Sequence, residues 1–359
     1  MKTAEDGLAR TGEIVTPHGV IHTPAFMPVA TKAVIKRISY AEMDSVGADI
    51  LMANTYHLAL RPGSEVIRDM GGLHGFTGRN APWITDSGGF QVFSLETLGE
   101  INDSGVVFRS HLDGSKMFLG PRESMTIQSH LGADIIMAFD QCASHTLPNL
   151  AMKVVVERTS AWARICLDCP RQRQALYGIV QGGVDQGLRE WSAQDITSLP
   201  FDGYAMGGLA VGEGHDTMLR VLKDIPLPSS KPRYLMGVGW PHDIMAAVAL
   251  GYDQFDCVLP SRNGRNGMAL TSKGKINLKR SEFQRNSSPI EEGCDCQACT
   301  RHSRSFLHHL LHTGEVLGGA LVSLHNLRYY ERLMSGAREA IRGKTFGSYA
   351  RSVAEVYAS

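Results

Sequence analysis

Two aspartates stand where short apolar runs break off. In Phe255-Asp256-Cys257-Val258-Leu259 a strand-like run carries one acid and stops at Pro260, and Trp83-Ile84-Thr85 ends in Asp86-Ser87-Gly88-Gly89. A carboxylate in a buried strand is costly unless it has a partner or a chemical task. Paired carboxylates are the apparatus of glycosidic-bond chemistry, one as nucleophile on the anomeric carbon and the other as proton shuttle. Asp140, Gln181 and Gly208 offer acceptors and amide donors that match the edge of a planar, purine-like base. Behind Asp256 come Arg262 and Arg265, and from Ser261 to Asn286 the chain has seven basic residues and one acid, Glu282. The whole chain is balanced, with 36 Lys plus Arg against 36 Asp plus Glu, so this local patch is the one feature that suggests RNA.

Cys294-Asp-Cys296-Gln-Ala-Cys299 puts three thiols in one loop. Thiolates this close repel unless a cation collects them, and tetrahedral zinc is the usual collector. The fourth ligand is open on spacing alone among His302, His308, His309, His312 and His325. A site closed by thiolates is expected to be structural, with one zinc per chain. Cys166 and Cys169 lie in a long helical stretch with no second pair nearby and read as ordinary helix cysteines. Seven cysteines, an odd number, with three of them clustered, point to a reducing compartment, and the cytoplasm is expected. No signal-peptide pattern opens the chain, and no run approaches the ~18 apolar residues of a membrane span. G-x-x-x-x-G-K-[ST], H-E-x-x-H and G-x-S-x-G are absent, and Gly207, Gly208, Gly212 and Gly214 do not match a dinucleotide fingerprint.

The elements that must position these residues follow a rhythm. Apolar runs at Pro24–Ala30, Ala48–Ala53, Trp83–Thr85, Ala133–Phe139, Ala175–Val180, Gly203–Met206, Tyr234–Val238 and 254–259 are nearly all separated by helical patterns. Strands alternating with helices imply a parallel sheet, and eight of them predict an α/β fold of the closed (β/α)8, or TIM, barrel type. Asp86, Asp140, Gln181, Gly207-Gly208, Met236 and Asp256 fall at or near the carboxyl ends of their runs, where barrel active sites assemble. The opening residues predict an N-terminal β element, and Gly105 to Leu119 an inserted hairpin around Asp113-Gly114. One catalytic domain is expected over 1–359, with a zinc-binding insertion at about 268–325 near the C-terminus and C-terminal helices at 326–357.

TDSGGFQ (85–91), MAFDQC (137–142), GIVQGG (178–183), GGLAVGEG (207–214), YLMGVG (234–239), FDCVLPSRNGRNG (255–267), CDCQAC (294–299) and LHN (324–326) together resemble tRNA-guanine transglycosylase, of the bacterial queuine tRNA-ribosyltransferase type, over nearly the whole chain. The resemblance implies a zinc-bearing barrel that replaces guanine at the wobble position of G-U-N anticodons with 7-aminomethyl-7-deazaguanine, a step in queuosine biosynthesis. It implies Asp256 as the nucleophile that forms a covalent enzyme–tRNA intermediate, and Asp86 as general acid/base. Ser87, Phe90, Asp140, Cys142, Gln181, Gly207, Gly208, Leu209 and Met236 match the base pocket, and Arg262 and Arg265 the tRNA-holding loop. The zinc ligands carry over as Cys294, Cys296, Cys299 and His325. Cys142 and Val211 match the bacterial type, and Glu213 an acid that helps a backbone switch between the two bases. Gln141 and Trp240 depart from the glutamate and the small or basic residue of the family pattern. A homodimer and no membrane contact are expected. A glycoside hydrolase would account for the two acids but not for the cysteines or arginines. A non-catalytic RNA-binding partner of this fold would be expected to lack one or both acids.

Overall fold

The computed structural model describes residues 2–94 and 100–357. Its centre is an eight-stranded parallel sheet: β1 (Ala25–Pro28), β2 (Leu51–Ala53), β3 (Trp83–Thr85), β4 (Ile135–Met137), β5 (Ala175–Val180), β6 (Gly203–Met206), β7 (Arg233–Leu235) and β8 (Gln254–Cys257). Each strand pairs with its sequence neighbour and β8 pairs with β1, with Asp256 opposite Met27. Parallel bridging of Val29 to Met52 joins β1 to β2 and closes the ring. All eight apolar runs are therefore barrel strands. They are short because their side chains are buried on both faces, which makes a continuous apolar run rather than an alternating one.

Met27, Met52, Ile84, Ile135, Met137, Tyr177, Ile179, Ala205 and Tyr234 fill the barrel as one cluster. Ile14 and Ile21 join that cluster from an antiparallel sheet, Lys2–Asp6, Ala9–Thr16 and Gly19–Thr23, so the N-terminal β element stops the floor of the barrel. The inserted hairpin is a three-stranded sheet: Gly105–Arg109 and Lys116–Leu119 gain Glu100–Asn102 at the edge.

The expected arginine loop is instead a helix, Leu259–Arg265, with Pro260 in its first turn. Gly264 reads as a loop former, but its reason lies in packing. A Cβ there would stand 2.5 Å from Ser323 N, on the helix Val316–Arg342 that crosses it. That long helix also packs on β1, where Tyr330 meets Phe26 at 4.3 Å between ring centroids. Segment 266–315 is thus inserted between β8 and the helix that completes the barrel. His325 lies inside this continuous helix, so the fourth member of the cysteine cluster comes from the barrel's closing helix. Even at 27 residues, no helix among the described residues is long and apolar enough to cross a membrane.

Candidate active site and metal centre

Asp86 follows β3 directly, and four neighbours donate to its carboxylate. Its Oδ1 accepts from Thr55 N at 2.8 Å and Gly88 N at 3.2 Å, and its Oδ2 from Gln91 Nε2 at 3.3 Å and from the Asn54 amide. Asn54 follows β2 directly and caps the helix Thr55–Leu60, its Oδ1 accepting from His57 N at 2.9 Å. One residue thus starts a helix and fixes the acid beside it. Burial pushes the Asp86 carboxyl up to about 7, and the nearby Asp256 charge pushes the same way against the amide donors.

Asp256 sits in β8 with its neighbours concentrated on one oxygen. Oδ1 accepts from Tyr234 OH at 2.6 Å and Gly237 N at 2.8 Å. Burial raises its pKa, and these two hydrogen bonds hold it down. Tyr234 is fully buried in β7, so its hydroxyl cannot swing away.

Asp140, just beyond β4, is 5% exposed and held at both oxygens: Ser87 Oγ donates to Oδ1 at 3.0 Å and Gln181 Nε2 to Oδ2 at 2.7 Å. Burial raises its pKa against those two bonds. Gly207 and Gly208 lie against the Gln181 amide, where a Cβ on Gly207 would stand 2.5 Å from Nε2. Gly208 also has φ +64°, the left-handed region that glycine enters freely. Ser87, Asp140, Gln181, Gly207 and Gly208 therefore form one connected group. Leu209 is buried beside them, Met236 packs against the barrel interior, and Cys142 is half-buried. Phe90, in the first turn of the helix Gly89–Ser94, is 53% exposed. Glu213 accepts from Ala210 N at 2.5 Å and Val211 N at 2.9 Å.

Gln141 points away from the base site. Its Oε1 accepts from Arg158 Nη1 at 2.8 Å, and Arg158 Nε donates to Asp103 of the inserted sheet at 3.0 Å. The departure from glutamate therefore falls on a tie to the insertion. Trp240 is half-buried, with Lys275 Nζ 5.3 Å from its ring.

One organising residue escaped the sequence reading. Arg189, 0% exposed in the helix Gln186–Thr197, donates to the carbonyls of Gly183 (2.9 Å), Val180 (3.0 Å), Gly207 (2.8 Å) and Gly208 (3.3 Å). It ties the ends of β5 and β6 together. Burial lowers its pKa to about 10, so it stays charged. In sequence it looks like any helix arginine; only its proximity to two glycine-bearing loops hinted at more.

Arg262 is exposed and Arg265 half-buried on the helix after β8. Burial lowers the Arg265 pKa, and Arg37 and Arg262 add to it, so these three cations stand together.

The cysteine cluster resolves the choice of histidine. The Sγ atoms of Cys294, Cys296 and Cys299 lie 3.6, 3.6 and 3.3 Å from His325 Nδ1. Tetrahedral zinc bond lengths give an S···N edge of about 3.5 Å, so the four atoms fit the ion. His325 Nε2 donates to Leu270 O at 2.9 Å, which leaves the Nδ1 lone pair available to an ion. His308 and His312 face the carbonyls of Leu278 and Lys279 instead, and His302 stacks on Phe306. Asn326, next to His325, accepts from Leu270 N and donates to Pro260 O and Met268 O. Through it the cluster is coupled to the arginine helix. Cys166, by contrast, is a buried thiol that accepts from Phe139 N, and burial pushes it up to about 12.

A closed barrel with two carboxylates at its strand ends, each in a different hydrogen-bonding environment, defines a (β/α)8 enzyme of glycosidic-bond chemistry. Queuine tRNA-ribosyltransferase is the family description that matches residues 5–359. A queuine tRNA-ribosyltransferase of Thermus thermophilus is 49% identical over 354 residues, covering 98% of this chain and 92% of the relative. Those of Novosphingobium aromaticivorans and Zymomonas mobilis are 48% and 47% identical, over 97% of this chain and 95% and 92% of their own lengths. The chain belongs to the queuine tRNA-ribosyltransferase family, and it is an enzyme of the glycosyltransferase type.

Proposed function

We propose that the protein exchanges guanine at the wobble position of G-U-N anticodons for 7-aminomethyl-7-deazaguanine, through a covalent enzyme–tRNA intermediate on Asp256, as a step in queuosine biosynthesis. The observation that carries this reading is the unlike treatment of the two acids. Burial raises the pKa of both, but Asp86 is held at both oxygens and set near neutrality, whereas the hydrogen bonds Asp256 accepts from Tyr234 and Gly237 both fall on Oδ1. A carboxyl group near neutrality can pass a proton, and a carboxylate held by one oxygen can attack with the other.

In the first displacement Asp256 Oδ2 attacks ribose C1′ while Tyr234 and Gly237 hold Oδ1. The bond from C1′ to the base nitrogen breaks with its electron pair, and Asp86 gives its proton to the departing guanine. In the second, Asp86 takes the proton from the incoming base as its nitrogen attacks C1′. The aspartyl ester breaks, and Asp256 is restored as a carboxylate. Two inversions at one carbon retain configuration, and the phosphodiester chain is never cut.

Guanine offers two N–H donors beside a carbonyl on one edge, and Asp140 with the amides of Gln181 and Gly208 has the complementary pattern. Phe90 and Met236 stack on its faces, and Ser87, Cys142, Gly207 and Leu209 complete the pocket. The base must leave its stack to enter, which costs a few kcal/mol and falls to the RNA contacts. Arg262 and Arg265 supply these to the anticodon-loop backbone. Zinc on Cys294, Cys296, Cys299 and His325 serves as a structural tie with all four positions filled by protein. The protein works in the cytoplasm as a homodimer, and light scattering showing only monomer at micromolar concentration contradicts the dimer.

The test is incorporation of labelled guanine and, separately, labelled 7-aminomethyl-7-deazaguanine into unmodified tRNA bearing G-U-N. Both labels should enter at the wobble guanine. Incorporation of neither removes the catalytic reading and leaves an RNA-binding protein of this fold.

A further inference from the structure

Behind the candidate base pocket sits a buried cation with no counterion. Arg189 is 0% exposed, its hydrogen bonds all run to backbone carbonyls, and no carboxylate pairs with it among the described residues. A guanidinium buried this way is costly, and a neutral donor could tie the same strand ends together. The positive charge therefore needs a use of its own.

That use lies in which carbonyls it holds. Nη1 donates to Gly207 O at 2.8 Å and Nη2 to Gly208 O at 3.3 Å. Those oxygens belong to the two peptides whose other ends are the N–H groups of Gly208 and Leu209. Both peptides are trans, so each N–H faces away from the guanidinium. Gly208 and Leu209 are buried, yet neither N–H has a hydrogen-bond partner among the described residues. Buried amides without partners are rare and call for an acceptor.

We propose that Arg189 is a positioning residue for the base exchange, which aims the Gly207–Gly208 peptide at the base and strengthens its N–H toward the base's carbonyl oxygen. The inference rests on the base pocket proposed above, in which the Gly208 amide meets guanine. A cation on a peptide's oxygen draws electron density from its nitrogen, so the N–H at the far end becomes a stronger donor. As the bond from C1′ to guanine breaks, its electron pair goes to the base nitrogen and spreads in part to the carbonyl oxygen, until the Asp86 proton arrives. A donor already fixed at an atom where charge develops needs no reorganisation. Arg189 lies on the far side of that peptide and acts only through it.

The test compares guanine with 6-thioguanine, which keeps both N–H donors and replaces the oxygen with sulfur, a weaker acceptor. Affinities for the two free bases are measured by calorimetry on full-length wild type, Arg189→Lys and Arg189→Gln, each below its melting temperature. Wild type should prefer guanine. That preference should shrink about fivefold in Arg189→Gln, which has a donor but no charge, and less in Arg189→Lys, which keeps the charge. A purely structural tie weakens both bases alike. An unchanged ratio in Arg189→Gln, or no preference in wild type, overturns the proposal and leaves the base pocket standing. If wild type binds neither base, the pocket falls and this inference with it. Should Arg189→Gln fail to fold, infrared spectra of wild type with guanine labelled at its carbonyl carbon decide. The bound carbonyl stretch should lie below its value in water, and a stretch at or above that value overturns the proposal.

Discussion

Asp86 and Asp256 carry the same functional group, and burial raises the pKa of both, but their hydrogen bonds are arranged differently. Burial, reinforced by the Asp256 charge, sets Asp86 near pH 7. If Asp86 protonates the departing guanine, the single-turnover rate of base expulsion should fall as pH rises through about 7, and Asp86→Asn should lose both that limb and most of the rate. The shift also has a stability sign. Between the ordinary carboxylate value and about 7 the folded chain holds a proton that the unfolded chain has lost, so stability declines as pH climbs through that window. The melting temperature of Asp86→Asn should therefore gain on wild type between about pH 5 and about pH 8. Tyr234→Phe removes one hydrogen bond from the Asp256 carboxylate and nothing from the tRNA contacts. A bond to a charged group is worth about 1.5–3 kcal/mol, so kcat should drop at least tenfold while the KM for tRNA holds. Both acids were legible because an acid ending an apolar run is conspicuous. Tyr234 and Arg189 were not conspicuous, since a tyrosine in a strand and an arginine in a helix look alike whether they pack or work. Arg189→Met should destabilise the fold by about 3 kcal/mol or more, because it leaves several strand-end carbonyls buried without donors.

Elements were legible to the degree that their pattern is local. A parallel barrel strand is an apolar run ended by a polar residue, and all eight were read on that basis. The helix Leu259–Arg265 is not legible in the sequence, because the reason for Gly264 lies far along the chain, at Ser323 of the crossing helix. Gly264→Ala is the matching test. Forcing a methyl into that contact should cost about 1–3 kcal/mol and raise the KM for tRNA, because Arg262 and Arg265 ride on the displaced helix. Wild-type stability and KM in that variant contradict this packing account. The same long range hid His325, which stands 26 residues beyond Cys299 and was not separable from four nearer histidines by spacing.

At the scale of the molecule the insertion meets the barrel's closing helix through several ties, among them Arg328–Asp295 and Arg332–Glu291, and one of them continues to the helix after Asp256. His325 and Asn326 both bind Leu270, Asn326 reaches Pro260, and Pro260 opens the helix that follows Asp256 in the chain. Chelation of an ion held by the cysteine cluster, or Cys296→Ser, should therefore weaken tRNA binding before it disturbs the Asp140 group on the other side of the mouth. Free-guanine binding that outlasts tRNA binding during chelation supports that order, and simultaneous loss contradicts it. The N-terminal sheet was expected as an element, but its place under the barrel was not legible, because Ile14 and Ile21 only acquire a partner surface once the ring has closed.

The most direct measurement of the account is a denaturing gel of enzyme mixed with G-U-N tRNA and quenched in acid. Wild type should show a band at the summed mass of enzyme and tRNA, which disappears when excess base is added before the quench. Asp256→Asn should show none, and Asp86→Asn should show less, formed more slowly. A covalent band that persists in Asp256→Asn contradicts the assignment of the nucleophile.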